Sequence, residues 1–304
     1  MNILVTGGSG FIGSHVVDAL RAHGHEVRVY DMRPPAFRND VEFAKGDLLD
    51  AETLTAAMAG VEAVFHLAAV ADVKDVAANP RRAHDVNVTG TLNVLDAARG
   101  RVGRVIYAST VWVYEGASHV DVDEDTPLGP PPHLYTAQKL AGEHYCHAYR
   151  KLYGLETTIL RYGVPFGPRA RDAAVVPLMV GKAFRGESLT IAGDGAQYRY
   201  FIYVEDLAEG NVAALAPAAA NRAYNLDGSE KITIRRLADL VRKTVRDVPL
   251  SSVPARPGDF SGKTVSSARA KAELGWAPDV PFEEGLRRYV AWFREREKER
   301  GVSE

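Results

Sequence analysis

The sequence predicts an α/β protein: a doubly wound parallel sheet carrying a smaller mixed C-terminal lobe. Three observations predict it. Short continuous apolar runs alternate with amphipathic stretches through the first half, as buried parallel strands and their crossover helices do. A glycine loop, "TGGSGFIG", directly follows the first of those runs. Beyond "TTILRYG" the alternation is broken by Pro165, Pro168 and Pro177 and then by "GDGAQYRYFIYVEDLAEG", which reads as a second lobe laid against the strand ends. The division expected is residues 1–165 for the sheet domain and 166–304 mainly for the lobe, the two interleaved.

Each element has its own signal. "NILVTG" is the first strand, and "HVVDALRAHG" the first helix, closing on Gly24 as a left-handed cap. "HEVRVYD" and "VEAVFHLAA" are further strands. Asn79-Pro80 opens a helix running to about Gly100, with proline in the first turn, where a missing N–H does no harm. "RVIYAST" is the strand that follows. "ITIRRLADLVRKTV" and "FEEGLRRYVAWFREREKER" have helical periodicity, the latter ending in solvated charge. "PLGPPPH" is a rigid loop.

At 304 residues, 46% hydrophobic and 25% charged, the chain suffices for one large core or two modest ones. A formal net charge of −2 without long blocks of one sign argues against nucleic acid or a membrane surface as partner and for a small neutral or anionic ligand. The lone Cys146 excludes an internal disulfide and fits a reducing compartment, so a cytoplasmic location is expected. "MNILVTGGSG" has no basic leader and reads as a strand, and no apolar run is long enough to span a bilayer. His144, Cys146 and His147 lack the second ligand pair of a zinc site, so no metal is expected.

In the glycine loop, Gly7, Gly10 and Gly13 stand at G-x-x-G-x-x-G spacing between the first strand and the first helix. Glycine there permits the tight turn and lets a diphosphate approach the backbone, and the helix N-terminus offers free N–H groups to it. Asp31 ends the second strand, 18 positions beyond Gly13. A carboxylate there accepts both adenosine-ribose hydroxyls and repels a 2′-phosphate, which favours NAD over NADP, although the nearby Arg33 softens that preference. "YTAQK" places Tyr135 and Lys139 four residues apart on one helix face. An ammonium beside a phenol favours phenolate, so such a tyrosine can exchange a proton with a sugar hydroxyl.

Taken together, the glycine loop, Asp31, Asp47-Leu48, His66-Leu67-Ala68-Ala69, Asn87-Val88-x-Gly90-Thr91, Ser109-Thr110 and Tyr135-x-x-x-Lys139 resemble the extended short-chain dehydrogenase/reductase family in order and spacing. The likeness continues through "GPR" at 167–169, "GDG" at 193–195, "YRYFIYVEDLA", "RPGD" at 256–259 and "LGWAP". Within the family, the chain most resembles the NAD-dependent nucleotide-sugar epimerases and dehydratases, above all the UDP-glucose (UDP-galactose) 4-epimerase group. The resemblance implies a Rossmann-like fold, bound NAD, a nucleotide-sugar substrate and a homodimer formed by the helix of Tyr135 and the helix before Gly100. It makes Tyr135 the acid/base, and gives Lys139 the nicotinamide ribose and the task of lowering the tyrosine pKa. It gives Thr110 the reacting sugar hydroxyl. Asp47 and Leu48 would flank adenine, and Leu67, Ala68 and Ala69 would line the cofactor together with Phe11, Ile12, Ser109, Tyr162 and Pro165. Arg199 and Arg256 would grip the substrate diphosphate, as forked permanent cations suit. His66 is expected to be structural.

Members of the family that expel water generally carry an Asp-Glu pair straight after the threonine, and the related decarboxylases have a glutamate nearby. Here Val111 and Trp112 stand at those positions, and neither exchanges a proton. The expected activity is therefore reversible oxidation at one carbon, a 4-epimerase, with another nucleotide-sugar oxidoreductase (a 4-ketoreductase, decarboxylase or dehydratase) or a non-catalytic NAD-binding sensor as the alternatives. Three further departures bear on the sugar: Val164 in place of an asparagine, Tyr200 in place of an aspartate, and Glu115 interrupting the usual Tyr-Gly at Tyr114.

Overall fold

Along β1 (Asn2–Thr6), Ile3 and Val5 enter one core and Leu4 enters the opposite one. Both faces of the strand are therefore covered, which is why it reads as a continuous apolar run. The computed structural model describes residues 1–254 and 262–301. After β1 come α1 (Phe11–Ala22), β2 (Glu26–Asp31), β3 (Glu42–Lys45), α2 (Ala51–Ala57) and β4 (Ala63–His66). α3 (Val73–Ala78), α4 (Pro80–His84) and α5 (Gly90–Ala98) lead to β5 (Arg104–Thr110), β6 (Asp121–Val122), α6 (Leu134–Tyr153) and β7 (Glu156–Tyr162). Then follow β8 (Val164–Phe166), α7 (Val175–Phe184), β9 (Leu189–Ala192), β10 (Tyr198–Tyr203), α8 (Val204–Ala213) and β11 (Ala223–Leu226). The chain closes with β12 (Lys231–Thr233), α9 (Ile234–Thr244), β13 (Leu250–Val253), β14 (Thr264–Val265), α10 (Ala268–Leu274) and α11 (Phe282–Glu299).

Seven parallel strands make the main sheet in the order β11-β7-β5-β4-β1-β2-β3, a Rossmann-like doubly wound arrangement. The order reverses between β1 and β4, so a crevice opens beyond their C-terminal ends. One face is packed by Val16, Leu20 and Leu207 from α1 and α8, the other by Leu54, Leu95 and Cys146 from α2, α5 and α6. β11 comes from the second half of the chain and pairs with β7 from Ala223–Ile159 to Leu226–Tyr162. α7, α9 and α11, with β8, β9, β10 and β12, build a separate core around Phe166, Phe201, Leu237 and Leu286.

The expected helix from Asn79 to about Gly100 is present with an interruption. The Asn79 side chain caps it by accepting the Arg82 N–H, and residues Asp85–Thr89 form a π turn between α4 and α5. Such turns reposition side chains, and here Asn87 is the residue re-aimed, with consequences at the site.

Candidate active site

Gly7 lies in the left-handed region, at φ +73°. A Cβ on it would fall 2.7 Å from the Ala68 nitrogen, and one on Gly13 would fall 2.1 Å from the Gly7 oxygen. Only glycine lets the loop lie this close both to the segment after β4 and to the first turn of α1. The Gly10 N–H donates to the Gly7 carbonyl at 3.0 Å, and Phe11, Ile12 and Gly13 then supply the outward-facing N–H groups of the helix N-terminus. The Asp31 carboxylate is fixed beside this loop, accepting the Ser9 N–H at 3.2 Å and the Arg33 N–H at 3.1 Å. Glycine backbone, helix N-terminus and carboxylate together fit a dinucleotide's diphosphate and ribose. Asp47 accepts the Leu49 N–H at 3.1 Å and lies 3.4 Å from Arg82. Leu48 is buried, and its carbonyl accepts from Asn93 at 2.8 Å.

His66 is buried between two threonines, with Nδ1 2.8 Å from the Thr6 hydroxyl and Nε2 2.9 Å from the Thr91 hydroxyl. Burial, aided by the charge of Lys139, pushes it down to about 3, so it is a neutral tie between β1, β4 and α5. Leu67, Ala68 and Ala69 follow it, and the Leu67 N–H donates to the Thr6 carbonyl at 3.2 Å. Asn87 holds the next residue from both sides: it accepts the Val70 N–H at 2.8 Å and donates to the Val70 carbonyl at 2.9 Å. Its amide also donates to Gln138 at 2.7 Å. The π turn thus ties the wall after β4 to α6, the helix of Tyr135 and Lys139.

β5 delivers Ser109 and Thr110, both buried. The Thr110 oxygen accepts the Trp112 N–H at 3.3 Å and caps a 3-10 turn over Val111–Tyr114, which leaves its proton to donate elsewhere. The Ser109 hydroxyl donates to Glu143 at 2.5 Å, so its proton is turned inward. Lys139 donates to the Ala108 carbonyl at 2.8 Å, with its Nζ 5.9 Å from the Tyr135 ring centre. Burial pushes Lys139 down to about 8. Burial pushes Tyr135 up to about 12, opposed by the charge of Arg171.

Beneath this pair lies a network that sequence patterns did not single out. Glu143, one further turn along α6, takes Arg161 of β7 through a fork at 2.7 and 3.1 Å, both groups buried. Arg161 also donates to the Tyr114 hydroxyl at 2.6 Å, and that hydroxyl donates to Asn225 at 2.9 Å. The i, i+4, i+8 series Tyr135, Lys139, Glu143 was its one available signal.

On the other side, Arg199 of β10 lines a small pocket with Trp112, Val164, Tyr200, Asp227 and Lys263, so the departures at Trp112, Val164 and Tyr200 meet at one place. Arg199 donates to the Tyr198 carbonyl at 2.7 Å. Arg256 lies outside the described residues. The Tyr162 hydroxyl pairs with Asn211, and Pro165 lies in β8 beside Ile202. Glu115 pairs with His133, just ahead of α6, at 3.3 Å. Cys146 is fully buried, while His144 and His147 are exposed. Among the described residues, no three His, Cys, Asp or Glu side chains group as a metal site requires, and no helix is long and apolar enough to cross a membrane.

The profile of the NAD dependent epimerase/dehydratase family matches residues 3–227. The chain belongs to that family. It is similar to the UDP-glucose 4-epimerase of Thermotoga maritima, solved with UDP-glucose, at TM-score 0.92 and 32% identity over 97% of this chain and 99% of that one. It is also similar to the dTDP-glucose 4,6-dehydratase of Streptomyces venezuelae, solved with NAD, at TM-score 0.91 and 32% identity over 98% of each chain. The UDP-glucuronic acid decarboxylase 1 of Danio rerio is 34% identical over 96% of this chain and 72% of its own length. This family member is therefore an NAD-dependent enzyme of the nucleotide-sugar epimerase/dehydratase group. Relatives of three activities stand at nearly equal distance, so the choice among them falls to the residues around Thr110.

Proposed function

We propose that this enzyme is a UDP-sugar 4-epimerase interconverting UDP-glucose and UDP-galactose. The turn after Thr110 carries the reading. Eliminating water from a sugar requires a base for a carbon-bound proton and an acid for the departing hydroxide. Val111 and Trp112 offer neither, and the nearby Glu115 and His133 are engaged with each other.

Bound NAD supplies reversible acceptance of a hydride from one sugar carbon. The chain's own residues do the rest. The loop from Gly7 to Gly13 holds the diphosphate, Asp31 takes the adenosine ribose, and Asp47, Leu48 and Leu67 to Ala69 enclose the remainder, with Ser109, Tyr162 and Pro165 near the nicotinamide. Thr110 donates its free hydroxyl proton to the sugar oxygen that reacts, and Tyr135 takes and returns that oxygen's proton. Lys139 holds the nicotinamide ribose and adds positive charge beside the phenol. Arg199, with Arg256, grips the substrate diphosphate. Residues 1–165 hold the cofactor, and 166–304, less the returning β11 and α8, hold the substrate. We read the enzyme as a cytoplasmic homodimer paired through α5 and α6, where Leu152 and Tyr153 are 69% and 49% exposed.

Turnover of UDP-glucose in D2O tests the reading. Epimerisation leaves carbon 5 unlabelled and loses no water, whereas deuterium at carbon 5 or release of water would refute it.

A further inference from the structure

Asp227 follows β11 immediately and is 3% exposed. One carboxyl oxygen accepts the Gly228 N–H at 2.9 Å, and the other takes no hydrogen bond among the described residues. The space for it is made by Gly163, where a Cβ would fall 1.9 Å from Asp227 Oδ1. The residue lines the pocket shared by Trp112, Val164 and Arg199, and the chemistry assigned to Thr110, Tyr135 and Lys139 does not use it. The second oxygen is open to the pocket rather than sealed away, and a ligand there can complete its hydrogen bonding.

We propose that Asp227 contacts the substrate, its carboxyl hydrogen-bonding an oxygen of the sugar in the pocket where Trp112 and Val164 provide no such partner. This rests on the UDP-sugar reading. Burial, opposed only by the Gly228 N–H, pushes the group up to about 8, so at neutral pH it is an acid that both donates and accepts and suits a neutral hydroxyl. The charged groups around it are Arg199 from β10, Lys263 ahead of β14, and Glu115 with His133 behind the Trp112 turn. Glu124 lies on the strand side, accepting the Asn225 N–H at 2.7 Å. Above pH 8 the ionised carboxylate still accepts but no longer donates, so the hydrogen bond it gives to the sugar oxygen is lost.

Calorimetric titration of the NAD-loaded enzyme with UDP-glucose, UDP-galactose and UDP, at pH 6.5 and 9, tests the proposal. If only the protonated form binds the sugar, the affinity for the UDP-sugars falls about tenfold over this range, while that for UDP changes far less. Asp227→Asn, neutral at both pH values, removes the difference, and Asp227→Ala loses sugar affinity at both. An identical pH response in wild type and Asp227→Asn, or wild-type affinity in Asp227→Ala, overturns the proposal and leaves the UDP-sugar reading intact. UDP-sugars binding no better than UDP at pH 6.5 would overturn both. The wild-type comparison needs no variant to fold.

Discussion

The backbone N–H of Trp112 donates to the hydroxyl oxygen of Thr110 at 3.3 Å. One side chain therefore caps the turn and keeps its proton for substrate. Thr110→Val removes both functions: about 1 kcal/mol of stability and roughly 10²-fold in kcat/KM. Thr110→Ser restores most of each. Urea unfolding and initial rates read the two effects separately, and a fully active Thr110→Val would remove Thr110 from the reaction.

Lys139 sits at about 8 because burial disfavours its charge. Between about 8 and its ordinary 10.5 the unfolded chain holds a proton that the native chain does not. Stability therefore rises with pH across that window, and the full penalty, roughly 3 kcal/mol, stands at neutral pH and below. Lys139→Met should be more stable than wild type at pH 7, lack the alkaline rise, and lose most activity. Urea midpoints from pH 7 to 10 check this, and parallel curves for the two proteins would contradict it.

His66 and His15 act in the same direction, in a more acidic window. Burial holds them at about 3 and about 4, so the stability they contribute is complete above 6.5 and drains as pH falls towards those values, by roughly 2 kcal/mol each at pH 5. NMR should show neither ring titrating between pH 5 and 8 in the folded protein. A His66 midpoint near 6.5 would end its assignment as a neutral tie.

Glu143 and Arg161 form a buried fork under the site. Glu143→Leu strands the guanidinium and should cost about 3–5 kcal/mol. With Arg161→Met added, the loss should be smaller than the sum of the two single losses, which a double-mutant cycle in urea reads directly. Additive losses would mean that the pair is not coupled.

Much of this was legible in the sequence because it is local. The glycine spacing, Asp31 at a strand end, and Tyr135 with Lys139 on one helix face are short-range patterns with one physical meaning each. His66 was correctly set aside as structural. The π turn was hidden because a single widened turn leaves no residue signature of its own, and its consequence, Asn87 bonded to Val70 and Gln138, exists only in three dimensions. Arg161 and Asp227 were missed for a related reason: their partners, Glu143 and Gly163, lie on other elements. The burial that raises Tyr135 was not legible either, because "YTAQK" shows charge proximity but not desolvation.

The central claim is that the turn at Val111 and Trp112 leaves the site able only to remove and return hydrogen at one carbon. Purified protein, with no cofactor added, should be incubated with UDP-glucose and followed by NMR. The account predicts UDP-galactose, appearing to equilibrium with no net NADH and no loss of water. A 4-keto-6-deoxy sugar, or turnover that consumes added NADH stoichiometrically, would contradict it.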